Sequence, residues 1–212
     1  MSQTPSPMAV FSRARADALL DPVSSFLARR RTWVSRFLLA LNAVPLVLLP
    51  FSEFQKELGS WAWILLVVLL FLSPVSRVLG LRVLALAMGF RKELGILMGM
   101  CAVAHSAGYF FTPSALSPLS AGFWWELGAP SYLAWGAAAL AVTLPLWMTS
   151  NVRAMRLLGK KWKWLHRSAY VLLLLTALHV AFIGYEFWAA AAWVGAYAAL
   201  KAADVLGLRW KA

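Results

Sequence analysis

Cysteine, histidine and acidic residues are scarce in this chain, and each shortage removes a class of function. Of 212 residues, one is cysteine, three are histidine and eight are Asp or Glu. A lone Cys101 builds no disulfide framework, and no Cys-x-x-Cys-His run is present for covalent haem attachment. There is no glycine-rich dinucleotide fingerprint and no phosphate loop, so nicotinamide chemistry falls to a separate partner. Buried acid–base pairs are missing from the middle of the apolar runs, which argues against a proton or ion pump.

Apolar residues are abundant instead. They make up 62% of the chain, and mean hydropathy is +0.72. A soluble domain is about half apolar. The runs are long enough to cross roughly 30 Å of hydrocarbon, so the composition predicts an integral membrane protein. The expected fold class is all-α, a six-helix transmembrane bundle. Its spans are expected over Trp33–Pro50, Trp61–Leu79, Glu93–Phe111, Tyr132–Ser150, Leu165–Gly184 and Phe187–Ala203. Between Ser168 and Leu200 the single charge is Glu186, so the last two spans need a tight turn at Gly184, Tyr185 and Glu186. The expected organisation is a basic N-terminal segment (1–32), a transmembrane domain (33–205) and a short tail (206–212). The N-terminal segment is polar and expected to be loosely ordered. The first apolar stretch is too long for a signal-peptide core and is expected to be retained.

The net charge of +12 would suggest nucleic acid in a soluble protein. Its placement says otherwise. Arg13, Arg15, Arg29, Arg30, Arg31 and Arg36 precede or open the first span. Arg77, Arg82, Arg91 and Lys92 lie between spans two and three, and Arg153, Arg156, Lys160, Lys161, Lys163 and Arg167 between four and five. Lys201, Arg209 and Lys211 close the chain. The other side holds one base, Lys56, so the ratio is 19 to 1 among the 20 Lys and Arg. This is a strong positive-inside signal: it predicts cytoplasmic termini, with lipid as a partner and nucleic acid excluded. Tryptophans near the expected interfaces, such as Trp33, Trp61, Trp124 and Trp188, fit an aromatic belt.

His105, His166 and His179 then stand out, because ionisable groups at membrane depth are costly and mostly functional. Imidazole ligates haem iron. Thirteen residues separate Lys92 from His105, and thirteen separate His166 from His179, a rise of about 20 Å each. Spans three and five both run outward, so His105 and His179 are expected at one depth in the outer half of the membrane. His166 is expected near the cytoplasmic boundary. A thirteen-residue step turns a helix about 140° off the same face, so His166 and His179 need not point into one cavity. Gly108 one turn after His105, and Gly95 and Gly99 below it, give room for a second helix or a flat macrocycle. A histidine that merely hydrogen-bonds a neighbouring helix is the plain alternative for each of the three.

Longer stretches carry a resemblance. They are Thr149-Ser150, Leu158-Gly159-Lys160-Lys161-Trp162, Leu165-His166, Tyr170 and His179, with Ser73-Pro74 and Arg77 earlier, and Arg91-Lys92-Glu93-Leu94-Gly95 leading to His105 and Tyr109. Over about residues 60–185 the chain resembles the MsrQ (YedZ) family, the haem-binding membrane subunits of a periplasmic methionine sulfoxide reductase system. That family belongs to the ferric-reductase-like transmembrane group. The resemblance implies haem b, one or two per chain, held by His105, His179 and His166, with Gly108 and Arg77 as further cofactor-binding candidates. It implies a periplasmic molybdopterin-containing reductase as acceptor, a quinone or a cytoplasmic flavin reductase as donor, and an associated FMN. The chain departs from the family at Ala129-Pro130-Ser131-Tyr132, where an Arg-Pro-Tyr-like stretch is usual.

Three functions stay open at this point: an electron-transfer subunit, a stand-alone ferric or oxygen reductase, and a cofactor-free transporter or scaffold. The first makes the chain a redox subunit rather than the catalytic one.

Overall fold

The computed structural model describes residues 13–111, 121–184 and 187–209. Every regular element among them is helical: α1 (Arg13–Arg29), α2 (Arg31–Ala40), α3 (Ala43–Leu48), α4 (Gln55–Leu79), α5 (Arg82–Ala87), α6 (Arg91–Phe111), α7 (Ala121–Gly128), α8 (Tyr132–Met148), α9 (Val152–Leu158), α10 (Lys160–His166), α11 (Ala169–Gly184) and α12 (Phe187–Val205). The chain is a membrane protein of helices. Two stretches, Gln55–Leu79 and Lys160–Gly184, are long and apolar enough to cross a membrane. A third span forms if α7 and α8, bent by 76°, count as one. The tight turn expected at Tyr185 and Glu186 lies outside the described residues.

The expected first span is divided. Pro45 has no amide hydrogen to give the carbonyl of Leu41, and Asn42 turns its side-chain amide onto the carbonyls of Leu38 and Leu39, at 3.1 and 3.0 Å. The helix therefore stops at Ala40 and restarts at Ala43. Hydropathy alone reads straight through this break. The N-terminal segment also differs from expectation. From Arg13 onward it forms α1, which packs on α5. Asp17 accepts the backbone amide of Arg82 at 3.0 Å, and Asp21 lies 3.3 Å from its guanidinium. These polar anchors bridge more than sixty residues of sequence, so local composition gives no sign of them.

α4, α6, α8 and α11 form the centre. Leu66, Leu69, Leu70, Met98, Ala139, Leu146, Leu172 and Leu173 are buried together where these helices meet. Apolar side chains gain little from packing on each other instead of on lipid, so close approach matters more than burial alone. Gly99 provides it on α6, where a Cβ would collide with the Trp147 ring of α8. Gly95, by contrast, faces open space.

α12 closes the bundle against α4 and α11. Its buried Asp204 accepts a forked bond from Arg77, Nε at 2.8 Å to Oδ1 and Nη2 at 2.6 Å to Oδ2. Lys201 and Arg209 approach the same carboxylate at 3.6 and 3.7 Å. Asp204→Asn is expected to lower the thermal midpoint of the detergent-solubilised protein, followed by circular dichroism. An unchanged midpoint would show that the fork is energetically idle.

Candidate functional site

The site is built from two matching halves. In the first, α6 carries His105, whose Nδ1 lies 2.6 Å from the carbonyl oxygen of Gln55 at the start of α4. In the second, α11 carries His179, whose Nδ1 lies 2.6 Å from the carbonyl oxygen of Tyr132 at the start of α8. A carbonyl only accepts, so both Nδ1 atoms carry the proton. Each neutral ring keeps its Nε2 lone pair free for a metal.

Space for each ring comes from a glycine one turn further on. A Cβ on Gly59 would stand 2.7 Å from His105 Cε1, and a Cβ on Gly136 would stand 2.7 Å from His179 Nδ1. Gly59 follows Gln55 by four residues, and Gly136 follows Tyr132 by four. In the i to i−4 pattern the amide of each glycine serves the same carbonyl that receives the imidazole. The carbonyl has two lone pairs, so both bonds are compatible.

The two halves bring the rings together edge to face. The centroids of His105 and His179 are 6.3 Å apart, with planes at 74°. An imidazole nitrogen lies about 2 Å from a metal it binds, so two ring centroids on opposite sides of one iron stand roughly 6 Å apart. No group of three or more His, Cys, Asp or Glu positioned for a metal occurs among the described residues. Two opposed ligands nonetheless suit a haem, whose macrocycle supplies the four in-plane nitrogens. The donor set and spacing fit that group. A tyrosine flanks each ring, Tyr109 at 5.2 Å from His105 and Tyr132 at 6.5 Å from His179.

The other candidates lie elsewhere or have different neighbours. His166 ends α10, about 20 Å of helix rise from His179. Its Nε2 lies 3.2 Å from Thr149 Oγ1, and its ring stacks on Trp162 at 4.0 Å. The Trp162 indole in turn donates to the Thr149 carbonyl at 2.9 Å. Gly108 sits against the Gln55 side chain, which a Cβ there would meet at 2.6 Å. Arg77 is engaged with Asp204. The segment that departs from the family pattern caps α8: Ser131 Oγ accepts the Ala134 amide at 3.3 Å and donates to the Glu126 carbonyl at 2.6 Å. Sequence reading missed Gln55, Gly59, Tyr132 and Gly136. The repeated four-residue spacing near the start of two apolar helices was the available signal.

Residues 58–178 match the family described as "Ferric reductase like transmembrane component", which makes the chain a ferric-reductase-like transmembrane protein. Among curated proteins, the chain is 32% identical over 130 residues to the "Protein-methionine-sulfoxide reductase heme-binding subunit MsrQ" of Rhizobium meliloti (strain 1021), covering 61% of this chain and 57% of that protein. It is 31% identical over 157 residues to the protein of the same name from Brucella ovis, covering 74% of this chain and 67% of that one. It is also 31% identical over 131 residues to the "Magnetosome protein MamZ" of Paramagnetospirillum magneticum, covering 61% of this chain but 20% of that much longer protein. The chain thus spans little more than half of the Rhizobium relative. No solved structure matches. The chain belongs to the MsrQ family of ferric-reductase-like transmembrane proteins.

Proposed function

We propose that the chain is a haem b electron-transfer subunit of the bacterial inner membrane. It passes electrons from the quinone pool or a cytoplasmic flavin donor to a periplasmic, molybdopterin-containing methionine sulfoxide reductase. The observation that carries this reading is the His105–His179 pair, 6.3 Å between centroids with both Nδ1 atoms tied to carbonyls. The relatives named as heme-binding subunits of a methionine sulfoxide reductase support the choice of cofactor and acceptor. The 19-to-1 charge asymmetry supports six spans with both termini cytoplasmic.

When bound, haem supplies one-electron exchange. The chain's residues do the rest. His105 and His179 would hold the iron through their Nε2 atoms, one from each helix pair. Gln55 and Tyr132 fix ring orientation, and Gly59 and Gly136 let the rings reach those carbonyls. The basic stretch from Arg153 to Arg167 faces the donor side and offers cations to an acidic flavoprotein or to the phosphate of FMN.

The test is the reduced-minus-oxidised visible spectrum of detergent-purified protein, with a pyridine haemochrome count. A low-spin b-type spectrum is expected. A colourless protein expressed with ample haem would overturn the reading and favour a transporter or scaffold. His166→Ala is expected to leave the low-spin spectrum of the His105–His179 site in place, because Thr149 and Trp162 hold His166 apart from it. Loss of that spectrum would show that the iron is shared differently.

A further inference from the structure

Three buried side-chain atoms among the described residues have no hydrogen-bond partner: Asn42 Oδ1, Glu93 Oε2 and Trp135 Nε1. The first two belong to groups bonded through their other atom. Asn42 donates to Leu38 and Leu39, and the other Glu93 oxygen accepts from Ser35 at 2.8 Å. Trp135 has one polar atom, and that atom is the unpaired one. An indole nitrogen only donates, so what it lacks is an acceptor. A buried donor left alone costs about 1–3 kcal/mol, which makes an absent partner the economical explanation.

The place of Trp135 says which acceptor. It lies three residues after Tyr132, whose carbonyl orients His179, and directly before Gly136, which gives the His179 ring its space. It shares the inward stripe of α8 with Ala139, Thr143 and Leu146, all buried. Its ring packs 6.3 Å from Phe182, one turn beyond His179 on α11. Helical side chains lean toward their own N-terminus, so this indole leans toward the end of α8 that holds Tyr132. Nothing cationic stands in the adjoining Ala129-Pro130-Ser131 to meet a negative group there. A haem between His105 and His179 brings its own anions, the two propionates.

We propose that the Trp135 indole N–H is a cofactor-binding group, donating to a propionate carboxylate of the haem held by His105 and His179. The assignment rests on the haem reading of that pair. A neutral donor suits the place. It satisfies a carboxylate in a dry setting through a charge-assisted bond and carries no charge of its own into the membrane.

The experiment uses full-length, haem-loaded protein and Trp135→Phe, with a second variant in which the indole is replaced by its benzothiophene analogue, equal in shape and lacking the N–H. Haem transfer to excess apomyoglobin is followed by visible absorption, and the propionate bending band by resonance Raman. Both variants are expected to keep the low-spin spectrum, to release haem roughly ten- to hundredfold faster, and to show a displaced propionate band. An unchanged release rate with an unmoved band in the benzothiophene variant overturns the assignment, even if Trp135→Phe fails to fold. A parent protein that binds no haem overturns the reading of the histidine pair itself, and the assignment with it.

Discussion

His179→Ala and His105→Ala are each expected to abolish low-spin haem absorption, leaving at most a weakly held, high-spin pigment. The expectation follows from how the ligands are supplied. Each helix pair contributes a single imidazole, and no third His, Cys, Asp or Glu stands with them among the described residues. The remaining ring has no understudy: His166 is a helix length away and bonded to Thr149. Absorption spectra of purified variants, normalised to protein by pyridine haemochrome, check this. A variant of either residue that retained a full low-spin spectrum would show that the 6.3 Å pair is a packing contact.

The second large effect is expected at glycines that touch no cofactor. In Gly59→Ala and Gly136→Ala the new methyl would stand within 2.7 Å of an imidazole atom. The neighbour is a stiff ring held at both ends, so the ring must leave its carbonyl or the helices must part. Loss of such an outer partner costs about 10–100-fold in metal affinity. Haem retention is therefore expected to fall by that order in both variants. Gly95→Ala and Gly195→Ala are the controls, since a Cβ at either meets nothing within 4 Å. In a helix, alanine in place of an unconstrained glycine is mildly stabilising. If all four variants retained haem equally, the clearance argument would fail.

The match of His105 with His179 was readable from the sequence because helix rise is fixed: counting thirteen residues from each basic boundary places both at one depth. What counting could not supply was the acceptor for each Nδ1. Those acceptors are backbone atoms of Gln55 and Tyr132, and any residue type carries a carbonyl. Gly99 and Gly108 of α6 make room for Trp147 and the Gln55 side chain, whereas the histidine rings are accommodated by Gly59 of α4 and Gly136 of α8. The break at Asn42 and Pro45 was also written in the sequence, but an apolar run hides a helix break because both halves remain apolar. Arg77 reads as a cation waiting for an anion. Its partner, Asp204, lies 127 residues away and could be found only by folding the chain.

The choice of carbonyls to anchor both rings has a consequence for driving force. A carboxylate behind a ligating imidazole pulls on the N–H proton and pushes charge onto the metal, which stabilises the ferric state. Gln55 and Tyr132 offer neutral oxygens instead. An iron held here would receive less charge from either side, in surroundings where burial also disfavours the extra positive charge of ferric iron. Both effects would raise the reduction potential of such an iron, so it would accept an electron readily from a mild donor and part with it only to an acceptor of higher potential.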